Sequence, residues 1–316
     1  MSVYTAVDAA ELSEFLTRFD IGDLVEHRGI SAGIENTNYF VDTSAGSYVL
    51  TLFEATAHEG LPFFLDLMAF LAEHELPTAH PQADREGRYL QVLKDRPAAI
   101  VVRLEGASVE APNQRQCAAI GDLMGRMHVA TQDFGQRRED DRGLAWRRLA
   151  AERIEPRLSG GLKSAIATEL ATSAELLQIA LPSGVIHADL FVDNALFVGD
   201  EVTGVIDFYY AFHGALLYDL AVLMNDWCGN ADGTLDLERA GAVASAYQAH
   251  RPLRDEEIAV WPTMMQHAAS RFWLSRLVDA LFPRPGELTQ IKDPETYRRI
   301  VAARRDGLQD VRQIWA

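Results

Sequence analysis

Lysine is nearly missing from this chain. Lys94, Lys163 and Lys292 are the only ones, so almost all of the 29 basic residues are arginines. Few positions can therefore offer a primary amine to a phosphate. Cysteine is scarce as well: Cys117 and Cys228 stand apart, with no metal-like spacing. No run of about 20 apolar residues occurs, so no transmembrane helix is expected. The opening residues, MSVYTAVDAAELSEFL, have no basic stretch followed by an apolar one, so no secretory signal is expected there. Basic charge is also outweighed, with a formal net charge of -17. Such a surface repels nucleic-acid phosphates and anionic lipid, so neither nucleic acid nor membrane is an expected partner. These absences together point to a cytoplasmic protein with two reduced thiols.

What is present suffices for a folded enzyme. The 316 residues, 48% of them hydrophobic, can bury a sizeable core or two lobes sharing a cleft. The texture changes once along the chain. Residues 8–18 read as an amphipathic helix. Leu24–Ile30 and Asn38–Val41 flank a small-polar loop, Ser31–Thr37, and Ser47–Phe53 is a third strand of β-branched and aromatic residues. Leu61–Leu71 opens with a proline and carries apolar residues at helical spacing. Arg88–Leu93 and Ala98–Leu104 then form a hairpin around Lys94–Pro97, and Glu105-Gly106-Ala107 is a connector. Beyond it the pattern is mainly helical, starting with Gln114–Ala130 and interrupted by short apolar runs at 184–187, 195–198 and 204–207. The expected architecture is α+β and bilobal: residues 1–104 form an antiparallel-sheet lobe and residues 105–316 a mainly helical one.

The chemistry is concentrated in the interruption. A short buried run, Val185-Ile186, delivers His187 and Asp189, and Asn194 follows five residues later. Two further strand-like runs end in Ile206-Asp207-Phe208. Phosphoryl transfer needs a carboxylate at the attacking hydroxyl, oxygen ligands for Mg²⁺, and donors for the phosphates. Asp189 can orient and deprotonate a hydroxyl, while Asn194 and Asp207 are hard oxygen donors suited to Mg²⁺. Any one of these alone is more often a turn or loop capper. Asp-x4-Asn followed by a strand pair ending in Ile-Asp-Phe matches the protein-kinase order, though Tyr209 stands where those proteins have glycine. The expected cofactors are ATP and Mg²⁺.

HADLFVDN (His187–Asn194) with VIDFYYA (Val205–Ala211) resembles the aminoglycoside phosphotransferase and choline kinase superfamily. The stretches GIENTNYFV, YVLTLFE, DRGLAW, LYDLA, NDWC and RFWLSRL extend the likeness over almost the whole chain, and the last two resemble its bacterial homoserine kinases. The resemblance implies a protein-kinase-like fold. It makes Asp189 the catalytic base, His187 the brace of the catalytic loop, and Asn194 and Asp207 the metal ligands. Asp219 is then an anchor for catalytic-loop amides. The loop with Gly33, Asn36, Thr37 and Asn38 covers the ATP phosphates, and backbone groups around Arg103 and Glu105 meet adenine. Thr51 stands where the third strand usually carries the phosphate lysine, so an arginine or loop N–H groups must take that task.

For the acceptor, the resemblance implies L-homoserine, phosphorylated to O-phospho-L-homoserine on the route to threonine. Such a zwitterion needs an oxyanion donor, for which Arg271 and Arg276 are candidates. It also needs an ammonium acceptor, for which Asp226 is the candidate, with Asn225 and Trp227 lining the pocket. The bland reading of NDWC is a helix face packed on the catalytic loop. Two other readings fit the same motifs: a choline, ethanolamine or aminosugar kinase, and a non-catalytic nucleotide-binding regulator suggested by the missing lysine. Oligomeric state is not encoded in any of these features.

Overall fold

The computed structural model describes residues 4–30, 36–54, 60–283, 292–307 and 313–315. These fall into two compact units. The first comprises Met1–Gly106 with Thr203–Tyr209; the second comprises Ala107–Val202, Tyr210–Gly286 and Gln290–Ala316. Thr203–Tyr209 thus joins the first unit from beyond the boundary expected near residues 104–107.

In the first unit, Asp8 caps helix α1 (Ala9–Leu16). Its carboxylate accepts from Glu11 N at 2.9 Å while Glu11 accepts from Asp8 N at 2.9 Å, so two otherwise orphaned amides are satisfied. Strands β1 (Leu24–Gly29), β2 (Asn36–Thr43), β3 (Ser47–Phe53), β4 (Gln91–Leu93) and β5 (Arg96–Val102) form one antiparallel sheet in the order β1-β2-β3-β5-β4. Helix α2 (Leu61–Glu73) follows β3. Period-2 alternation puts Tyr39 and Val41, then Leu50 and Leu52, then Ala98 and Ile100 on the face that packs with Leu12, Phe15 and Leu16 of α1. Asn38 and Thr51, directly opposite each other in register, fall on the other face. The turn between β4 and β5 puts Lys94 and Asp95 at φ 51° and 57°. Two successive left-handed residues match the twist of a tight hairpin.

The second unit contains α3 (Gln114–Ala130), α4 (Leu144–Ile154), α5 (Gly160–Leu176), β6 (Ser183–Ile186) and β7 (Ala195–Val198), the latter leading into β8 (Glu201–Val205). It continues with β9 (Phe212–Ala215), α6 (Leu216–Trp227), α7 (Leu237–Gln248), α8 (Asp255–Leu281) and α9 (Pro294–Asp306). Helix α6 is apolar on nearly all sides and buried from Leu216 to Asn225, as a central helix must be. Two glycines let α3 approach α7: a Cβ on Gly121 would lie 2.6 Å from Val243 O, and one on Gly125 3.0 Å from Tyr247 O. β9 pairs antiparallel with β6 from Ser183↔Ala215 to Ile186↔Phe212. Its sequence, Phe-His-Gly-Ala, has no β-branched residue and no alternation, so it carries no strand signal of its own. No helix among the described residues is long and apolar enough to cross a membrane.

Candidate active site

β6 ends at Ile186 and the chain turns into the loop 187–194. Ala188 sits at φ 62°, costly for a residue with a Cβ, so the surroundings must impose it. Asp219, in the first turn of α6, does so. Its Oδ2 accepts from His187 N at 2.9 Å and its Oδ1 from Ala188 N at 2.7 Å. His128 Nε2, on α3, lies 3.1 Å from Asp219 Oδ2. Burial pushes the Asp219 carboxyl up, but the bond and charge of His128 and the nearby His187 hold it below the ordinary carboxylate range.

The rest of the loop is held in the same way. Asp189 N donates to His187 Nδ1 at 3.2 Å, so His187 positions the loop without facing a substrate; it is 1% exposed. Asn194 Nδ2 donates to Asp189 O at 2.8 Å, which commits the nitrogen end of that amide and leaves its oxygen as the metal-capable end. Val192 N donates to Asp226 Oδ2 at 2.9 Å, and the Trp227 indole N–H donates to Leu190 O at 3.0 Å.

These contacts give the polar side chains of NDWC partners within the fold. Trp227 is fully buried and spent on the loop carbonyl. Asn225 is buried too: its Nδ2 donates to Met265 O at 2.8 Å and its Oδ1 accepts from Arg304 Nε at 2.8 Å, joining α6 to α8 and α9. Asp226 is engaged by the loop amide through its Oδ2. The motif is a brace for the catalytic loop and its neighbouring helices.

Arg271 behaves differently. Its Nη1 lies 3.6 Å from Asp189 Oδ1, and its guanidinium packs over the Phe272 ring at 4.0 Å and the Tyr210 ring at 5.0 Å. Burial opposes its charge, but Tyr218, Asp189, Tyr210 and Asp140 stand close enough to raise its basicity overall. Phe272, Trp273 and Leu277 on the same helix are buried, as their spacing implies. Arg276 faces the Tyr297 ring at 4.4 Å. The structure adds residues that spacing could not single out. The Arg142 guanidinium lies 4.6 Å from the Trp146 ring and 5.9 Å from the Tyr210 ring, so Tyr210 borders both arginines. Arg142 and Trp146 belong to the DRGLAW stretch, which carried part of the family resemblance but no role for either side chain.

In the first unit, Asp207 is exposed at φ 64° at the exit of β8. Val205 N donates to Pro77 O at 2.7 Å, and Tyr209 packs edge-on against Phe53 and Phe64 at 5.2 and 5.7 Å. Tyr209 thus fixes the segment with an aromatic anchor where protein kinases have glycine. Burial and the Asp207 carboxylate push its phenol up, against a bond to Thr51. Thr51 also donates to Asn38 Oδ1 at 2.7 Å, so the lysine position of β3 carries a neutral hydrogen-bonded pair. The Thr37 hydroxyl takes Tyr4 N and Thr5 N at 2.9 and 3.1 Å and donates to Glu54 at 2.7 Å. Its hydroxyl is therefore spent inside the lobe. Among the described residues, the buried Asn36 Oδ1 has no partner. A half-turn of the amide would present a donor there instead. Gly33 and the rest of 31–35 lie outside the described residues. On the connector, Arg103 N donates to Ser47 O at 3.0 Å and Glu105 O accepts from Thr203 at 2.6 Å.

Residues 26–253 match the model of the phosphotransferase enzyme family. A homoserine kinase of Methylobacillus flagellatus is 47% identical over 315 residues, covering 100% of this chain and 99% of its own. A homoserine kinase of Neisseria meningitidis is 43% identical over 301 residues, covering 95% and 99%. Among solved structures, an amicoumacin kinase in complex with AMP-PNP superposes with a TM-score of 0.71 at 16% identity, over 95% of this chain and 93% of that one. An ethanolamine kinase of Plasmodium vivax gives 0.61 at 15% identity, over 92% and 84%. The structural likenesses speak for the fold alone.

Proposed function

Because the chain belongs to the phosphotransferase enzyme family and, within it, groups with the homoserine kinases, we propose that it transfers the γ-phosphoryl group of ATP to the hydroxyl of L-homoserine. The product is O-phospho-L-homoserine, the precursor of threonine. The observation that carries this reading is identity of 43–47% along essentially the whole of both chains.

The geometry fits the chemistry. Asp189, on a loop fixed by Asp219, Asp226 and Trp227, orients the substrate hydroxyl and takes its proton as the oxygen–phosphorus bond forms and ADP leaves. Asn194 in the second unit and Asp207 in the first are each side chains that would suit Mg²⁺ as ligands, an ion that when bound would neutralise charge on the phosphates. Both are hard oxygen donors, and the Asn194 amide already points its nitrogen elsewhere. Arg271 receives the substrate carboxylate, for which a planar guanidinium is suited. A choline reading finds less support. The Tyr210 and Trp146 rings already carry guanidinium groups, so they do not form an open aromatic cage for a quaternary ammonium.

The test is ADP release by the purified enzyme with Mg²⁺-ATP and, in separate assays, L-homoserine, choline, ethanolamine and an aminoglycoside. Turnover with L-homoserine in clear preference is expected. Preference for another acceptor, or ATP binding without transfer to any of them, would overturn the proposal.

A further inference from the structure

Arg271 and Asp189 come from separate segments, α8 and the catalytic loop, yet stand 3.6 Å apart. Beside them lies a cluster of three buried rings from three parts of the second unit. Phe191 is two residues beyond Asp189 on the loop, Phe272 adjoins Arg271 on α8, and Tyr297 lies near the start of α9. The Phe191 and Phe272 centroids are 4.6 Å apart. Tyr297 stands 5.3 Å from Phe272 and 6.3 Å from Phe191.

Each ring also carries a cation. Arg271 is 4.0 Å from the Phe272 centroid, Arg276 is 4.4 Å from that of Tyr297, and Lys292 Nζ is 5.5 Å from that of Phe191. Two of these cations tie the cluster to its surroundings. Arg276, one turn beyond Phe272, donates to Asp293 O at 3.4 Å, just before α9. Lys292 reaches Asp193 Oδ2 on the catalytic loop at 3.0 Å. The third, Arg271, is the guanidinium beside the base.

Tyr297 is 2% exposed, and its hydroxyl has no hydrogen-bond partner among the described residues. A buried hydroxyl without a partner is destabilising. The position therefore uses the ring and not its polar end. Protein interiors are close-packed, so a ring held against both the loop and α8 fixes the distance between the groups they carry.

We infer that Tyr297 is a positioning residue: through Phe191 and Phe272 it holds Arg271 at its spacing from Asp189. It touches neither the substrate nor the reacting atoms. Its effect is on how the substrate hydroxyl meets the base once the carboxylate is on the guanidinium, and a small misplacement there is costly. This rests on the homoserine reading and deepens it, by giving α9 a part in acceptor recognition.

The experiment is a double-mutant cycle on the full-length enzyme, using Tyr297→Leu, Arg271→Ala and the pair together. The quantities read are kcat/KM for L-homoserine and KM for ATP. Tyr297→Leu should lower kcat/KM for L-homoserine about 10- to 100-fold, as expected for misplaced reacting groups, with the KM for ATP within about twofold of the wild type. Because Tyr297 acts through Arg271, the pair should be no worse than Arg271→Ala alone by more than about threefold. A residue that merely supports the fold would multiply the two losses, and that result would overturn the inference. Tyr297→Phe, which restores the ring alone, should recover the wild-type kinetics and unfold at higher urea concentration. A loss of about tenfold or more in Tyr297→Phe would assign the role to the hydroxyl and overturn the inference as well. If Tyr297→Leu does not fold, Tyr297→Met, which has no ring but fills more of the space, takes its place with the same expectation. Failure of the wild type on L-homoserine would strike the parent reading, and this inference with it. Wild-type turnover with multiplied losses would strike this inference alone.

Discussion

The guanidinium of Arg271 stands 3.6 Å from the carboxylate of Asp189, and both side chains are largely withdrawn from water. A base that must accept a proton is thus paired with a cation that a substrate carboxylate can draw away. Arg271→Ala should raise the KM for L-homoserine roughly 10- to 100-fold while leaving the KM for ATP within about twofold, as expected for a lost charge-assisted contact. Arg271→Lys should rescue only partly, because an ammonium lacks the planar two-pronged geometry. Parallel titrations of both substrates decide the matter; an unchanged homoserine KM would take Arg271 out of the acceptor site.

Asp189→Asn retains the shape of the catalytic loop but cannot accept the hydroxyl proton. A drop in kcat of about 10²–10⁴-fold is expected, with binding of an ATP analogue preserved. Calorimetric titration alongside turnover separates the two quantities. Near-normal turnover would mean that another group is the base.

Buried His267 makes stability depend on pH. Its Nδ1 lies 2.8 Å from Ser173 Oγ, and burial together with the charge of Arg147 holds its pKa well below the ordinary histidine value. The folded protein therefore keeps this ring neutral, while the unfolded chain binds a proton once the pH falls below about 6.5. The contribution is fully present above that pH and declines as pH falls towards the folded-state value, by up to ~1.4 kcal/mol per pH unit. Melting temperatures recorded from pH 7.5 to 5.5 should fall in the wild type and fall less in His267→Gln.

The approach of α3 to α7 leaves no room at Gly121. Gly121→Ala would set a Cβ 2.6 Å from Val243 O, so one helix must shift. A cost of about 1–3 kcal/mol is expected from such overpacking. Urea unfolding measures it, and a variant as stable as the wild type would mean that the two helices separate freely.

Local spacing revealed much of this protein, because both the sheet and the catalytic loop are short-range features. The alternation in Tyr48-Val49-Leu50-Thr51-Leu52 marks β3, and HADLFVDN carries the proposed base and the amide proposed for the metal within eight consecutive residues. What spacing could not reveal depends on distant segments. Tyr210 comes within 5.0 Å of the Arg271 guanidinium from another part of the chain. β9 owes its strand to the β6 edge, since Phe-His-Gly-Ala favours no conformation. For NDWC the sequence left both a pocket lining and a helix face open; the partners of its side chains, Val192 N, Arg304 and Leu190 O, all lie far from it in sequence.

Thr51 also bears on how this protein can be detected. Acyl-phosphate derivatives of ATP mark protein kinases by acylating the amine on the third strand. Here that strand offers a hydroxyl already donated to Asn38, and the unit's only lysine, Lys94, is tied to Glu11 at 2.7 Å and Ala6 O at 3.0 Å in the far hairpin. Chemistry directed at a third-strand amine finds none on this strand, whereas displacement of a reversible nucleotide analogue does not depend on that amine.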